Sequence, residues 1–341
     1  MKKLLPIILI VCLMLCSCGG KTEEATTAAD VADEATTAAE AVALVNPLNG
    51  EKLDAEFSGR IFAVTINNVS AALPFKGVAQ ADVFFEMFIN DYCTRGLALY
   101  TDIKSVPDIG SVRSNRLNFT DIAKAYNSVL IHAGGSDLVM NDLAQSGVDQ
   151  FHAENSTAGY RDSDRSAAGY AFEHTLFIKG EAAYNFAAAK GYELNATGKS
   201  YGLVFADEGT PDGQAADTVD ITFTLYGRTK STTMKYDAAV DAYSFNQYGE
   251  KMTDCGADIY FKNVLVILAP TENLEVYHVA DLIGSGDAYF ACGGKAVQCQ
   301  WTRAAETDAF TFTMADGSPV KLEAGNSYIA IAPTGSPINI F

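Results

Sequence analysis

The stretch Val83-Phe-Phe-Glu-Met-Phe-Ile89 is apolar at every position except Glu86. A nearly continuous apolar run of this length is typical of a strand whose sheet is covered on both faces. Runs of similar character lie at 61–66, 96–100 and 129–132. Helical patterns with end signals occur between and after them, at 118–126, at 137–145 behind the potential cap Ser136, and at 181–190 before Gly191. Residues 46–199 are therefore predicted to form an α/β or α+β domain.

The helical period disappears in the second part of the chain, where short β-rich runs recur between turn formers. These runs lie at 219–225, 232–236, 243–245, 264–268, 277–279, 289–292, 297–301, 310–313 and 327–332. The pattern predicts a mainly antiparallel all-β domain over residues 200–341. The segment Gly284-Ser-Gly-Asp-Ala288 is interpreted as a turn, since no helix follows it.

The cysteines beyond the N-terminal segment are too few and too scattered for a disulfide scaffold or a paired-cysteine metal site. If Gly293-Gly294 forms a two-residue hairpin turn, Cys292 lies opposite Lys295 and Cys299 lies opposite Ala288. We therefore predict free thiols. The sequence contains no phosphate-binding loop, dinucleotide fingerprint or zinc-protease motif, and no metal or cofactor is predicted.

The first residues have the features of a lipoprotein signal peptide. Two lysines precede the apolar run 4–15, which is too short to span a bilayer, and Leu15-Cys16-Ser17-Cys18-Gly19 has the pattern of a lipoprotein cleavage site. Residues 1–17 are predicted to be removed and Cys18 to carry the lipid. Residues 18–45, which repeat Glu-Ala-Thr-Thr-Ala-Ala, are predicted to form a tether that cannot bury a core. The expected location is the outer face of the cytoplasmic membrane.

The charge distribution combines a strongly acidic chain with a local group of arginines. The formal net charge of −18 would become −20 without residues 1–17, so bulk charge does not favour nucleic-acid binding. Five of the eight arginines lie between residues 95 and 165: Arg95, Arg113, Arg116, Arg161 and Arg165. The guanidinium fork suits carboxylate or phosphate, so Arg113 and Arg116 could clamp one anionic group. Alternatively, the arginines pair internally with Asp82, Glu86, Asp91 or Asp102.

The segment His132-Ala-Gly-Gly-Ser136 ends a predicted strand and opens a predicted helix. Ligands of α/β sheets often bind at such strand ends. Gly134, Gly135 and Ser136 could bring backbone N–H groups close to an anion, and His132 could act as a general base or ligand, unless it merely caps the turn. Asp82 and Glu86 are the candidate catalytic carboxylates, since a two-residue period places them on one face of a strand.

The chain also resembles a known family, the YerB-like lipoproteins, catalogued as domain of unknown function 3048 with N-terminal and C-terminal parts. The matching motifs are Asn46-Pro-Leu48, Ile66-Asn-Asn68, Gln80-Ala-Asp82, Glu86, Thr94-Arg95, Gly110, Val112-Arg-Ser114, Arg116, His132-Ala-Gly-Gly-Ser136, Arg161-Asp162, Arg165, His174, Asn263-Val264, Gly284, Gly286, Gly294-Lys295 and Trp301. This resemblance implies a lipoprotein of the cell envelope with a separate β-rich C-terminal part. Two positions depart from the family pattern: Leu73 replaces an arginine, and Glu173-His174-Thr175 replaces Pro-His-Asn.

Three hypotheses follow. The first is an envelope protein that binds an anionic cell-wall glycopolymer or a peptidoglycan-related ligand through Arg95, Arg113, Arg116, Arg165 and His132. The second is an enzyme, either a hydrolase or a phosphotransferase similar to the LytR-CpsA-Psr proteins, in which arginines and acidic residues hold a lipid pyrophosphate. The third is a structural scaffold whose arginines all form internal ion pairs. Protein partners are not predicted.

Overall fold

The apolar runs predicted as buried strands form the centre of one large sheet. The structure is a computed structural model that describes residues 44–90, 92–196 and 199–341. The predicted signal peptide, the lipidation site Cys18 and nearly all of the tether therefore lie outside the described residues, as does Asp91.

The helices and strands are numbered in chain order. The strands within the described residues are β1 Phe62–Asn68, β2 Val83–Asn90, β3 Cys93–Tyr100, β4 Ile109–Gly110, β5 Val129–His132, β6 Gln150–His152, β7 Gly159–Arg161, β8 Leu176–Ile178, β9 Val204–Ala206, β10 Gln214–Ala215, β11 Thr218–Leu225, β12 Arg228–Asp237, β13 Ala242–Gln247, β14 Glu250–Lys251, β15 Thr253–Asp254, β16 Ala257–Asp258, β17 Tyr260–Phe261, β18 Asn263–Ala269, β19 Thr271–Leu274, β20 Tyr277–Ala280, β21 Gly284–Cys292, β22 Lys295–Arg303, β23 Thr311–Thr313, β24 Lys321–Glu323, β25 Ser327–Pro333 and β26 Ile338–Ile340. The α-helices are α1 Leu117–Ala125, α2 Asp137–Gln145, α3 Ser163–Ala167 and α4 Gly180–Ala189, and short 3-10 helices lie at Ser70–Ala72, Ile103–Ser105, Ala153–Asn155 and Phe172–His174.

The main sheet joins strands from both halves of the chain. Its order is β10-β22-β21-β18-β25-β2-β3-β1-β5-β6, with β23 paired to β22. Strand β25, near the C-terminus, lies between β2 and β18 and runs parallel to both. The predicted boundary between two domains at residues 199/200 stays a prediction. In the structure, strands from the two sides of that division pair in this one sheet.

The two faces of the main sheet are covered by different layers. One face packs against a second sheet of order β14-β13-β12-β11-β26, with Phe84 and Phe88 of β2 contacting Phe245 and Phe223. The other face packs against α1 and α2, and every residue of β1 and β25 is buried. The coverage of both faces explains why these strands are continuously apolar.

The predicted fold class is confirmed: the N-terminal part mixes helices and strands, and the C-terminal part is mostly antiparallel strands. Helix α2 has the predicted bounds, and its cap Ser136 accepts a hydrogen bond from the Val139 N–H. The predicted hairpin register is also confirmed, with Cys292 opposite Lys295 and Ala288 opposite Cys299. The cysteines that the structure describes are all free thiols.

One local prediction is wrong. Gly284-Ser-Gly-Asp-Ala288 is not a turn, because strand β21 already begins at Gly284. A Cβ atom at Gly286 would lie 2.7 Å from Nε1 of Trp301. Glycine therefore serves here to let the buried indole ring approach the strand backbone.

Among the described residues, no helix has both the length and the apolar character needed to cross a bilayer.

Candidate anion-binding site

The loop 111–116 carries two of the predicted arginines and is fixed at the carboxyl ends of β1 and β5. The backbone N–H of Arg113 donates to the Thr65 carbonyl of β1 at 3.0 Å, and the Arg113 carbonyl accepts from the Ala133 N–H at 3.0 Å. The Asn115 N–H donates to the Gly134 carbonyl at 2.7 Å. These bonds place Arg113 and Arg116 at the strand edge where ligands of such sheets commonly bind.

Arg95 joins this loop from the neighbouring strand β3. Its Nη1 donates to the Ser114 carbonyl at 2.9 Å, and Ser114 lies between Arg113 and Arg116 in the loop. The Arg116 guanidinium lies 4.4 Å from the ring centroid of Tyr277 in β20, and its Nη1 donates to the Asn115 carbonyl at 2.7 Å. We call Arg95, Arg113 and Arg116 the arginine cluster.

The arginine cluster has donors without acceptors. The Nε atoms of all three arginines are buried and form no hydrogen bond with any of the described residues. Arg113 pairs with Glu173, at 3.0 Å from Nη2 to Oε1, but within the described part of the chain no carboxylate forms a salt bridge with Arg95 or Arg116. The predicted internal pairing with Asp82, Glu86 or Asp102 is therefore not what holds these side chains.

The electrostatics of the cluster are those of grouped like charges. Burial lowers the pKa of Arg95 well below its usual value, and the neighbouring Arg116 and Arg113 lower it further. Burial also lowers the pKa of Arg116. Burial raises the pKa of the Cys93 thiol, although Arg95 and Arg116 oppose this shift. Grouped and desolvated positive charge of this kind would be stabilised by a bound anion.

The other two arginines of the predicted group make structural contacts. Arg165 is buried and donates through Nη1 to the Ala72 carbonyl at 2.7 Å and through Nη2 to the Pro74 carbonyl. Arg161 pairs with Glu154, at 2.6 Å from Nη2 to Oε1. Arg165 is therefore not part of the arginine cluster, because backbone carbonyls already accept its hydrogen bonds.

His132 is likewise a structural residue in this arrangement. Its ring is buried, Nε2 lies 2.8 Å from the Gln150 side-chain oxygen, and Nδ1 accepts from the Gly134 N–H at 2.9 Å. Burial lowers the pKa of His132, which favours the neutral imidazole, although the hydrogen bond to Gln150 opposes this shift. With both ring nitrogens engaged, His132 has no free position for a base or ligand, and Gly134 and Ser136 serve the turn and the cap of α2.

Asp82 lies at the opposite end of β2 from the arginine cluster. Its carboxylate accepts from Nδ2 of Asn49 at 2.6 Å and from the backbone N–H of Thr101 at 2.6 Å. Burial raises its pKa, against these hydrogen bonds. Asp82 thus fastens the first described segment of the chain, near Asn46 and Asn49, to the amino-terminal edge of the sheet.

Glu86 points to the face of the sheet opposite Arg95, because its partner across the strands is Gly96 and not Arg95. It is fully buried between the two sheets and forms a salt bridge of 2.5 Å with Lys230. Side chains of Asn68, Thr94, Thr232, Gln247 and Tyr328 also donate to its carboxylate. A carboxylate with no exposure and this many donors cannot reach a substrate.

Two residues of the site are absent from the sequence-based prediction. Cys93 could have been found, because it lies two positions before Arg95 on one strand and alternation places both side chains on the same face. Tyr277 could not, because it reaches Arg116 from a hairpin far along the chain.

In the described ranges, no three His, Cys, Asp or Glu side chains group in a way that suits a metal ion. The fold and the site together define an α+β protein with an arginine cluster at the carboxyl edge of its main sheet.

Comparisons with known proteins assign the family. Residues 48–193 match the profile described as "Protein of unknown function (DUF3048) N-terminal domain", and residues 219–329 match the C-terminal domain of the same family. The chain belongs to this family.

A curated relative and a solved structure agree with this assignment. "Putative lipoprotein YerB" of Bacillus subtilis (strain 168) is 24% identical over 309 residues, covering 84% of this chain and 86% of that protein. The crystal structure of the YerB protein from Bacillus subtilis superposes with a TM-score of 0.74 at 21% identity and covers 87% of this chain and 99% of that chain. The TM-score shows that the two proteins share the same fold.

Proposed function

We propose that this protein is an extracytoplasmic lipoprotein, held by a lipid on Cys18 at the outer face of the cytoplasmic membrane. Two observations support this: the cleavage-site pattern Leu15-Cys16-Ser17-Cys18-Gly19 and the similarity to a relative whose name describes a lipoprotein. On this proposal, the described residues work within the cell envelope.

We propose further that the arginine cluster binds an anionic group of a cell-wall glycopolymer or peptidoglycan-related ligand. The observation that carries this proposal is the grouping of three arginines on one loop and its neighbouring strand: Arg95 donates to the Ser114 carbonyl, Arg116 donates to the Asn115 carbonyl, and the buried Nε atoms of all three arginines have no acceptor among the described residues. An internal scaffold would pair these charges with carboxylates, because an unpaired buried charge is strongly unfavourable. A phosphate or carboxylate would supply the missing acceptors.

Catalysis has less support than binding. The candidate base Asp82 lies at the far end of β2, Glu86 is enclosed between two sheets, and both ring nitrogens of His132 are hydrogen-bonded. No acid or base from the predicted set therefore faces the arginine cluster.

Isothermal titration of the full chain with pyrophosphate and with isolated wall glycopolymer tests the binding proposal. Arg116→Gln removes charge-assisted hydrogen bonds worth about 1.5–3 kcal/mol, so we expect affinity to fall by roughly 10-fold or more. The matched control is Lys251→Gln, which removes one positive charge from the exposed pair with Asp258. Glu173→Gln should tighten binding, because it removes the carboxylate that occupies Arg113.

The proposal fails if Arg116→Gln folds normally and binds with unchanged affinity. It also fails if Lys251→Gln weakens binding as much as Arg116→Gln, because bulk charge would then explain the interaction.

A further inference from the structure

A groove lies beside the arginine cluster, between the tips of two hairpins. Its volume is 410 Å³, and its lining residues are Asn90, Tyr92, Asn273, Glu275, Val276 and His278. Asn90 ends β2 and Tyr92 directly precedes β3, and the other four residues belong to the β19–β20 hairpin. The volume lies at the small end of the range typical for ligand pockets.

Two residues, Tyr277 and Cys93, connect the groove to the arginine cluster. Tyr277 lies between the groove residues Val276 and His278, and its ring supports the guanidinium of Arg116. Cys93 lies two positions before Arg95 on β3, and its Sγ lies 2.9 Å from Oδ1 of the groove residue Asn90. A ligand that extends from the arginines past Cys93 and Asn90 would therefore reach the groove.

The side chains of the groove suit a polar but uncharged ring. Asn90 accepts through Oδ1 from the Cys93 N–H, and the Oδ1 of Asn273 lies 2.5 Å from Nδ1 of His278. The hydrogen bonds of the described residues leave the NH₂ groups of both amides available as donors. The Glu275 carboxylate can accept hydrogen bonds from hydroxyl groups, and its charge disfavours an anion within the groove itself.

Tyr92 adds an exposed aromatic surface to these polar groups. It is 66% exposed, and the Arg228 guanidinium lies 4.9 Å from its ring centroid. Val276 at the facing hairpin tip is 72% exposed. A sugar presents an apolar ring face and a rim of hydroxyl groups. The aromatic ring and the aliphatic side chain complement the ring face, and the amide donors complement the hydroxyl groups.

We propose that this groove is a saccharide subsite, so that the ligand class is a sugar phosphate whose phosphate binds the arginine cluster and whose ring lies on Tyr92. This inference rests on the proposed anion-binding function and specifies its ligand. A phosphate suits the cluster because its several oxygens can accept from more than one guanidinium group.

The test compares three probes on the full chain by titration calorimetry: inorganic phosphate, N-acetylglucosamine 1-phosphate and N-acetylglucosamine. We expect the sugar phosphate to bind about 10-fold more tightly than inorganic phosphate, a gain typical of one well-packed contact group. Tyr92→Ala and Asn273→Ala should each reduce this advantage while leaving the affinity for inorganic phosphate unchanged. Tyr226→Ala is the matched control, since Tyr226 is 68% exposed at another hairpin tip and does not line the groove.

Two results would overturn the inference, and they have different meanings. Equal affinity for the two phosphates, or an advantage retained in both Tyr92→Ala and Asn273→Ala, removes the saccharide subsite but leaves arginine-dependent anion binding intact. Failure of both phosphates to bind overturns the proposed anion site and the subsite with it.

Discussion

Replacement of Lys230 by methionine tests the buried ion pair between the two sheets. Lys230 Nζ lies 2.5 Å from Glu86, and the two side chains are 4% and 0% exposed. Burial lowers the pKa of Lys230, and the charge of Glu86 opposes that shift, so the two charges depend on each other. Lys230→Met would leave the Glu86 carboxylate in the interior without a countercharge.

The expected loss of unfolding free energy is about 3–5 kcal/mol, the range found when one partner of a buried pair is removed. The lower half of this range is expected here, because Thr94, Thr232 and Tyr328 still donate to Glu86. Urea unfolding followed by circular dichroism would measure the loss as a shift of the midpoint at constant slope.

Two further variants make the measurement specific. The double variant Glu86→Gln/Lys230→Met should recover part of the loss, because no unpaired charge remains. Lys251→Met, which breaks an exposed pair with Asp258, should change stability far less, since these side chains are 42% and 41% exposed. A loss below about 1 kcal/mol in Lys230→Met, or no recovery in the double variant, would refute the reasoning.

Three other predictions concern the rest of the fold. Burial lowers the pKa of His132 below the unfolded value of about 6.5, so the contribution of His132 to stability is present above that pH and declines as the pH falls. Urea titrations at pH 7 and pH 5 should therefore show a smaller loss of stability in His132→Gln than in the parent protein. Gly96→Ala should destabilise the protein by about 1–3 kcal/mol, because its Cβ atom would lie 2.3 Å from the Phe84 ring, and an unchanged melting temperature would contradict this packing. Thiol labelling of the unreduced, denatured chain should modify each of the described cysteines, namely Cys93, Cys255, Cys292 and Cys299. A protected residue would reveal a disulfide.

Local features of the fold could be predicted well from the sequence. Helix α2 and its cap follow from a periodic segment behind Ser136, and the register around Gly293-Gly294 follows from two-residue hairpin geometry. Both depend on residues close together in the chain. The strand that begins at Gly284 could not be predicted, because Gly286 accommodates Trp301 on the adjacent strand instead of forming a turn.

The contacts that could not be predicted from the sequence join residues far apart in the chain. The sequence shows that Glu86 needs a positively charged partner, but not that Lys230, and not an arginine, provides it. The convergence of Arg95 with Arg113 and Arg116 was predicted as a hypothesis, whereas the backbone carbonyls that engage Arg165 are invisible without the fold. An arginine in the sequence implies that hydrogen-bond acceptors lie near its side chain, but only the tertiary structure shows which groups these are.

The position of β25 has a consequence for the order of events during synthesis. Residues 327–333 are synthesised after every other strand of the main sheet, yet they fill the gap between β2 and β18 at its middle. Until they emerge, both neighbouring strands present an open edge with unpaired backbone groups. Without this segment the main sheet would remain as two separate parts, so we expect a truncation before Ser327 to destabilise the fold.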